Sequence, residues 1–339
     1  MGLQHGRQLL DLRPLIVETA EKRLAALGGF AAGTLLSELE KVWALKARST
    51  LEMLAGIAEG LGMDAALLSR YAAASYLEDR LRDSSGTEGC TVWAASGAAT
   101  ADGAPILTKN RDFNSAHLVL QTLALATPQD GYRYLYVTGA GSPGVYSSGM
   151  NEEGLAVADT YVPCSDNGPG LARYTLMMDL LEHHSSVASA LDYLKSVPRM
   201  GPGNLVLADA GGEMAVFEVG HSHWGVVPAT NGLVVATNHF VTPVLSEYSA
   251  RRMRGGTDGE SKARHRSACG WLRDTWGRID GDEARRIMSH HADIEGGICR
   301  HDTGDGGSTI SNVIFFPAER SLLFCNGRPC EGSYTRHSL

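Results

Sequence analysis

The sequence changes character at Gly89-Cys90. Before this point, residues 8–83 are rich in Ala, Leu, Glu, Lys and Arg at helical spacing, with almost no β-branched runs. After it come short segments with a period of two residues, as is typical of β-strands. The sequence therefore predicts a helical block joined to a larger strand-rich block, with the polar segment 84–89 as a flexible connection.

Cys90 stands directly after a small glycine at this junction, which is the arrangement needed if the Gly89–Cys90 peptide bond is cut. Cleavage would give Cys90 a free α-amino group, whose pKa of about 7.7 leaves a fair fraction as free base at neutral pH. That amine can take the proton of the thiol, so nucleophile and base would lie on one residue without a separate catalytic histidine. An ordinary buried strand cysteine is the alternative that the local sequence leaves open.

Hydrophobic periodicity outlines the elements of both blocks. The first block has four predicted helices, at residues 18–27, 34–47, 50–60 and 64–82. The second opens with a predicted hairpin of strands 91–95 and 106–110, and its predicted helices cover 172–183, 186–196, 262–278 and 282–290. Its further predicted strands are 119–126, 132–138, 145–148, 155–161, 205–209, 213–219, 224–228, 233–237, 309–316 and 321–326. This order predicts a layered α+β fold, with sheets covered by helices rather than alternating βαβ units.

Charge and composition limit the partners. A net charge of −8 over 339 residues argues against a nucleic-acid or membrane-surface binder. One basic cluster, at 251–254 and 262–266, is interpreted as a solvated loop and helix start in preference to an anion site for a carboxylate, a phosphate or coenzyme A. The apolar runs are shorter than the roughly 20 residues of a membrane span, and no secretory signal is recognisable, so we expect a cytoplasmic protein. Six scattered cysteines are expected to be reduced.

Six short motifs occur in order along the chain. They are Gly89-Cys90-Thr91, Asn110-Arg111-Asp112-Phe113, Asn151-Glu152-Glu153-Gly154-Leu155-Ala156-Val157, Ala236-Thr237-Asn238-His239, Ile298-Cys299-Arg300 and Gly327-Arg328-Pro329. Together and in this order, they resemble one family, the acyl-coenzyme A:6-aminopenicillanic acid acyltransferase-like group of N-terminal-nucleophile hydrolases (the C45 peptidase family). Residues 51–60 also resemble the pro-segment of that family, so the similarity covers most of the chain.

The resemblance implies a four-layer αββα sandwich and a precursor, or zymogen, that cuts itself between Gly89 and Cys90. Residues 1–89 would become an α subunit and residues 90–339 a catalytic β subunit that keeps the pro-segment bound. Cys90 would be the nucleophile and its new amine the base. By the same resemblance, Asp112 would orient groups near that amine or assist self-cleavage, and the side-chain amide of Asn238 would donate to the tetrahedral oxyanion.

The implied reaction is attack of Cys90 on an amide or thioester carbonyl, which gives an acyl-thioester that water, an amine or a thiol then resolves. The substrate is a small acyl amide or thioester, and no cofactor is expected, although coenzyme A could enter as a substrate thioester. Four aromatic residues near the motifs, which could instead pack in the core, are candidates for the pocket: Phe113, Tyr146, Tyr161 and Phe240. Where the penicillin acyltransferase has a Ser-Arg pair, this chain has Asp305-Gly306-Gly307-Ser308, which leaves that substrate contact open.

Two other function classes remain open. A metal-dependent hydrolase would use paired ligands, namely His183-His184, His221 with His223, His290-His291 and Cys299 with His301. None of these pairs completes a His-Glu-x-x-His or paired Cys-x-x-Cys signature, so no metal site is expected. A non-catalytic small-molecule-binding protein on the same fold would leave the Gly89–Cys90 bond uncut. Self-association into a homo-oligomer is not decided by the sequence.

Overall fold

The helical block comes first in the computed structural model, which describes residues 1–25, 27, 30–81, 89–249, 259–291, 296–301 and 307–339. The four predicted helices are present, but α1 is an addition, and the segment predicted as one helix over 64–82 divides at Ala73. The C-cap residue Gly62 is left-handed (φ 63°), and the side chain of Asp64 caps the next helix by accepting from the Ala66 amide at 2.9 Å. The helices are α1 (Gly2–Gln8), α2 (Arg13–Ala25), α3 (Phe30–Lys46), α4 (Arg48–Leu61), α5 (Ala65–Ala72) and α6 (Ala74–Leu81).

Helices α1 and α4 touch backbone to backbone. Each contributes two glycines four residues apart, Gly2 and Gly6 facing Gly56 and Gly60. A Cβ on Gly56 would lie 2.6 Å from the backbone nitrogen of Leu3. The close approach therefore depends on glycine, and the first seven residues give no apolar stripe that would have predicted α1.

The second block forms two antiparallel sheets. The predicted hairpin is confirmed as β1 and β2, whereas the strand predicted at 145–148 begins only at Ser148, and β13 was not predicted. One sheet has six strands in the order β10-β1-β2-β11-β12-β13, and the other has seven in the order β3 to β9. The strands are β1 (Thr91–Ala95), β2 (Ile106–Asn114), β3 (Gln121–Ala126), β4 (Tyr134–Gly139), β5 (Ser148–Asn151), β6 (Ala156–Thr160), β7 (Gly203–Ala208), β8 (Met214–Val219), β9 (Trp224–Pro228), β10 (Leu233–Ala236), β11 (Gly307–Phe316), β12 (Ser321–Asn326) and β13 (Tyr334–Ser338).

The remaining helices cover the outer faces of the sheets. They are α7 (Arg173–His183), α8 (Val187–Ser196), the single turn α9 (Pro243–Ser246), α10 (Gly259–Asp274) and α11 (Gly281–Met288). Short 3-10 turns cover Leu10–Leu12, Gly97–Ala99, Ser115–Leu120 and Pro317–Glu319.

Alternation along β1 shows how the layers are built. Val92 and Ala94 point into the core between the two sheets, whereas Trp93 and Ala95 point outward into the core under α10 and α11. The outer face of the seven-stranded sheet packs under α7 and α8 and shares one continuous core with the N-terminal helical block. The predicted αββα sandwich is therefore confirmed. Within the described residues, no helix combines the length and apolarity needed to cross a membrane.

Candidate active site

Four strand ends meet at one edge of the six-stranded sheet. In the register of this sheet, Thr91 faces Asn110, Val92 faces Ala236, and Asp112 faces Thr309. The residue before β1, the end of β2, the start of β11 and the residues after β10 therefore lie side by side. This geometry brings together Cys90, Asp112 and Asn238, which are separated by up to 148 positions in the sequence.

Asp112 is fully buried and only half paired. Its Oδ1 accepts a hydrogen bond from the hydroxyl of Thr309 at 2.6 Å, whereas its Oδ2 has no hydrogen-bond partner within the described residues. Burial raises the pKa of this carboxyl to about 6, although the nearby Arg264, the Thr309 hydroxyl and Arg300 oppose the shift. A buried acid that titrates near neutrality can hold or release a proton at working pH.

The unpaired Oδ2 faces the predicted cleavage junction. A Cβ built on Gly89 would lie 3.0 Å from Oδ2 of Asp112 and would collide with the guanidinium of Arg300. Arg300 itself is mostly buried and pairs with Glu260 at 2.8 Å. A side chain before Cys90 would therefore have to displace the guanidinium of Arg300 from its place beside Asp112.

Arg264 forms hydrogen bonds with three residues of the site, and the sequence did not identify it as a site residue. Its guanidinium, 2% exposed, donates through Nη1 to the carbonyl oxygen of Cys90 at 2.6 Å and to the Thr91 hydroxyl at 3.0 Å. Through Nη2 it donates to Oδ1 of Asn238 at 2.8 Å. A solvated environment is therefore wrong for Arg264, whereas the neighbouring Arg251, Arg252 and Arg254 lie outside the described residues.

A sequence signal for Arg264 exists in the helix pattern. Arg264, Ala268 and Leu272 are spaced four residues apart, and all three are buried on one face of α10. An arginine in line with an apolar stripe needs buried acceptors, because a buried charge without partners costs several kcal/mol.

The partners of Asn238 fix the orientation of its side-chain amide. Arg264 can only donate and the carbonyl of Tyr161 can only accept, so Oδ1 faces Arg264, and Nδ2 donates to Tyr161 at 2.7 Å. An amide nitrogen carries two N–H groups, and the Tyr161 carbonyl uses one of them. Among the described residues, no hydrogen bond uses the second N–H.

A cavity of about 60 Å³ borders Cys90 and Asp112. Three of the four aromatic candidates, Phe113, Tyr146 and Tyr161, line it. Phe240 does not line this cavity, because it is buried in a separate cluster with Val162, Cys164 and Leu245. This volume is far below the roughly 300–1,000 Å³ of a typical ligand pocket, so an acyl group would need the cavity to open.

The helical block forms one wall of this cavity. Arg23 of α2 and Ser75 of α6 line it, and Arg23 pairs with Glu78 at 2.5 Å. On the opposite side, Asp159 of β6 pairs with Lys109 at 2.5 Å and with Arg173 at 2.9 Å. Burial alone would raise the pKa of Asp159, but these two cations lower it overall.

Arg111 is the remaining cation at the cavity. Its guanidinium lies over the ring of Phe113, 5.4 Å from the ring centroid, and donates to the side-chain oxygen of Gln121 at 3.4 Å. In the described part of the chain no carboxylate pairs with Arg111. Asp305 and Gly306, which belong to the stretch that differs from the Ser-Arg pair of the penicillin acyltransferase, lie outside the described residues.

A larger apolar pocket of about 760 Å³ lies elsewhere, along Val227, Leu233 and Trp276. None of Cys90, Asp112 and Asn238 lines it. Size alone therefore does not identify the site, and we place it where the polar groups converge. All six cysteines are free of disulfides in this structure.

Most of the histidine pairs that a metal-dependent hydrolase would use do not belong to a common cluster of ligands within the described residues. His221 bonds to the Arg199 carbonyl and His223 to Asp166, while His183 approaches Glu182 at 3.8 Å. Among the described residues, the one group of three or more ligating side chains that converge is that of His291, Cys299, His301 and Cys330.

Comparison with known proteins adds a family and a fold. The model of a family described as acyl-coenzyme A:6-aminopenicillanic acid acyl-transferase matches residues 99–331, well over half of the chain. The match begins nine positions after Cys90, so it does not include the candidate nucleophile. No curated protein matches the chain.

Solved structures share the fold at low identity. Two variants of the conjugated bile acid hydrolase from Clostridium perfringens superpose with TM-scores of 0.50 and 0.51 at 14% and 13% identity. Each superposition covers 74% of this chain and 97% of the other. A Caenorhabditis elegans ortholog of N-acylethanolamine-hydrolyzing acid amidase has a TM-score of 0.49 at 16% identity and covers 68% of this chain and 93% of its own.

Proposed function

Because this chain belongs to the acyl-coenzyme A:6-aminopenicillanic acid acyl-transferase family, we propose that it is a self-processing amidohydrolase or acyltransferase with Cys90 as its N-terminal nucleophile. One observation carries the proposal: the unpaired, buried Oδ2 of Asp112 faces Gly89, directly before Cys90. A buried polar atom without a partner is costly, and such atoms are retained where they serve chemistry. The group it is placed to serve is the peptide bond between Gly89 and Cys90.

Self-cleavage would begin with Sγ of Cys90 attacking the carbonyl carbon of Gly89. The new C–S bond replaces the C–N bond, and the departing nitrogen takes a proton to become the α-amine of Cys90. Water then hydrolyses the thioester, which leaves a carboxylate on Gly89 and restores the thiol. With a pKa near 6, Asp112 can accept the proton of Sγ as the thiol attacks, pass it to the departing nitrogen, and afterwards hold the new amine by its charge.

The mature reaction would reuse the same groups. The amine of Cys90 takes the thiol proton while Sγ attacks the acyl carbonyl of the substrate, and the second N–H of Asn238 donates to the oxyanion. Arg264 contacts neither the attacking Sγ nor the oxyanion. It holds the carbonyl of Cys90 and the amide of Asn238 at a fixed spacing through one planar guanidinium.

The helical block would remain part of the mature enzyme, because Arg23 and Ser75 line the cavity at Cys90. We infer that the cut, which detaches this block from Cys90, allows the cavity to enlarge around Phe113, Tyr146 and Tyr161. The acyl group would then rest against those aromatic rings.

Arg111 suggests the charge of the substrate. It lines the cavity, and no carboxylate neutralises it in the described part of the chain, whereas Lys109, Arg173 and Arg23 each have an acidic partner. We propose that the substrate carries a carboxylate or another anionic group close to its scissile amide or thioester bond.

Denaturing mass spectrometry of the purified protein tests the proposal. We expect one chain that ends at Gly89 and one that begins at Cys90, and a single uncut chain for Cys90→Ala. Cys269→Ser is the matched control, because this half-buried cysteine lies in α10 outside the site and should leave processing intact. A wild-type protein that turns over substrate while uncut would contradict the N-terminal-nucleophile mechanism.

A further inference from the structure

Two histidines and two cysteines converge beside the proposed active site. His291, Cys299, His301 and Cys330 each offer one ligand atom, and these four atoms lie within 4.8 Å of one another. They come from three separate parts of the chain: the residues after α11, the segment 296–301 and the turn between β12 and β13. The sequence placed Cys299 with His301 and His291 with His290, but it did not indicate Cys330.

Three of the six separations among these atoms are close to the edges of a tetrahedron around a zinc ion. Nε2 of His301 lies 3.1 Å from Nε2 of His291 and 3.3 Å from Sγ of Cys330, and the two sulfur atoms are 3.5 Å apart. Zinc bonds of about 2.1 Å to nitrogen and about 2.3 Å to sulfur would place two nitrogens about 3.4 Å apart and two sulfurs about 3.8 Å apart. These three distances differ from that geometry by only a few tenths of an ångström, and the remaining separations, none longer than 4.8 Å, would shorten when an ion binds.

The surrounding backbone holds the ligands in place. The amides of Ile298 and Cys299 both donate to the carbonyl of His290 at 2.9 Å, which ties the segment of His291 to that of Cys299. The amide of Gly332 donates to Arg328 at 2.8 Å and closes the turn that carries Cys330.

A carboxylate also lies on the far side of one histidine ring. Oε1 of Glu331 is 3.9 Å from Nδ1 of His301, the ring nitrogen that points away from the cluster. Metal-bound histidines usually present their second nitrogen to a carboxylate or a carbonyl, because this orients the ring and makes it a better ligand.

We propose that His291, Cys299, His301 and Cys330 bind a zinc ion in a closed tetrahedral site. Two thiolates balance the charge of Zn²⁺, and the two thiols release their protons on binding. Sulfur and imidazole ligands select zinc over oxygen-preferring ions such as Mg²⁺ and Ca²⁺. Since four protein ligands leave no open position, the ion is structural and is not the catalytic metal of a metal-dependent hydrolase.

The site would act on the cleavage junction through Arg300, which lies between two of the ligands in sequence. The amide of Arg300 donates to the Thr309 hydroxyl at 2.8 Å, and its carbonyl accepts from the Thr309 amide at 2.9 Å. Thr309 in turn bonds Asp112, and the guanidinium of Arg300 contacts Gly89. Arg300 is therefore a positioning residue that the zinc site would hold, a role that rests on the proposed function, whereas metal binding does not.

Metal analysis of the full chain, purified without chelators, tests the site. We expect about one zinc per chain for the wild type and for the control Cys269→Ser, and a loss of most of the zinc in Cys330→Ser. Replacement by Co²⁺ should give an intense thiolate-to-metal charge-transfer band that Cys330→Ser weakens. A wild type that holds no zinc and takes up none when it is added overturns the proposal, as does a disulfide between Cys299 and Cys330.

Alkylation of the wild-type protein tests the zinc site without a substitution, so it remains informative if Cys330→Ser does not fold. Zinc should protect Cys299 and Cys330 from a thiol reagent, and a chelator should expose them, whereas Cys269 should react equally in both conditions. Equal reactivity of Cys330 with and without zinc contradicts the site. Zinc bound to a chain that never cuts itself would contradict the proposed function and still support the metal site. Failure of self-processing and failure of zinc binding are therefore distinguishable.

Discussion

The guanidinium of Arg264 donates a 2.6 Å hydrogen bond to the backbone carbonyl of Cys90. This hydrogen bond anchors the C-terminal side of Cys90 to α10. The Gly89–Cys90 peptide bond, which is expected to break, lies on the N-terminal side of Cys90. Cys90 can therefore change from an internal residue to a chain end without losing its position relative to Asn238, which the same guanidinium holds.

Replacing Arg264 should impair catalysis more than folding. Arg264→Lys keeps the charge, but one ammonium group cannot span the three acceptors at Cys90, Thr91 and Asn238. We expect turnover to fall by at least about 10-fold, because Asn238, the proposed oxyanion donor whose loss would cost about 10²–10³-fold, would lose the group that orients its amide. The exposed Arg266→Lys, two residues further along α10, is the control for steady-state kinetics and circular dichroism. Equal turnover of the two variants would contradict the role of Arg264.

Asn238→Ala should lower turnover by about 10²–10³ without altering access to the thiol. One N–H of this amide donates to Tyr161, and alanine removes the other, which is the proposed oxyanion donor. Steady-state rates together with alkylation of Cys90 separate a lost oxyanion donor from a blocked site. Asn326→Ala, at the exposed end of β12, is the matched control. A variant with a near wild-type rate would remove Asn238 from the mechanism.

Asp112 should make stability depend on pH in a definite direction. Its native pKa of about 6 lies above the ordinary value of 3.8, so the native state holds the proton more tightly than the unfolded state. The contribution of the Asp112 carboxyl to the free energy of unfolding is complete below about pH 4 and is lost as the pH rises through about 6. The free energy of unfolding therefore differs by about 3 kcal/mol between the two ends of this range.

Chemical denaturation at pH 4 and pH 7.5 tests this linkage on uncut protein, in the Cys90→Ala background. The free energy of unfolding, compared with that of the additional Asp112→Asn variant, should fall by up to about 3 kcal/mol between the two values. In the processing-competent background, Asp112→Asn should accumulate uncut precursor or shift the acidic limb of the pH-rate profile. Normal maturation with an unchanged profile would refute the assignment.

The helical block should stay bound after the cut. Trp43 is fully buried, and its indole nitrogen donates to the Gly170 carbonyl at 3.3 Å, while Thr50 bonds Thr175 at 3.0 Å. Gel filtration of the cut protein should show both pieces in one peak. Trp43→Ala should promote separation, because truncating a buried tryptophan costs about 3–5 kcal/mol, whereas the half-exposed Trp276→Ala should not. Separate elution of two soluble wild-type pieces would contradict a shared core.

Arg111→Gln should discriminate among substrates by charge. We expect KM to rise about 10-fold or more for substrates with an anionic group near the scissile bond, because a hydrogen bond between charged groups contributes about 1.5–3 kcal/mol. Neutral substrates of similar size should show little change and act as the internal control. An equal effect on both classes would remove Arg111 from substrate recognition.

The layered architecture could be predicted because alternation in β1 and the helical stripes in the first block are strong local signals. Cys90, Asp112 and Asn238 could be proposed because each lies just before or just after a predicted strand, inside a family motif. Their joint position at one sheet edge depends on the strand order β10-β1-β2-β11, which no local pattern specifies.

Other features depend on tertiary contacts. Arg264 acquires its role when α10 packs on the six-stranded sheet, and Thr309 meets Asp112 across 197 positions. Helix α1 is stabilised by glycine contacts with α4 rather than by an apolar face. The strand β13 is a mostly polar edge strand, so its burial pattern gives little alternation to detect.

The helical block and the seven-stranded sheet share one core, so the protein refolds only when the two blocks come together again. In the uncut chain the two blocks are tethered, so their reassembly is first-order and independent of concentration. Once the bond at Cys90 is cut, reassembly needs an encounter between two molecules and slows on dilution. Maturation would thus turn a protein that can recover from unfolding into one whose lifetime is governed by its first unfolding event.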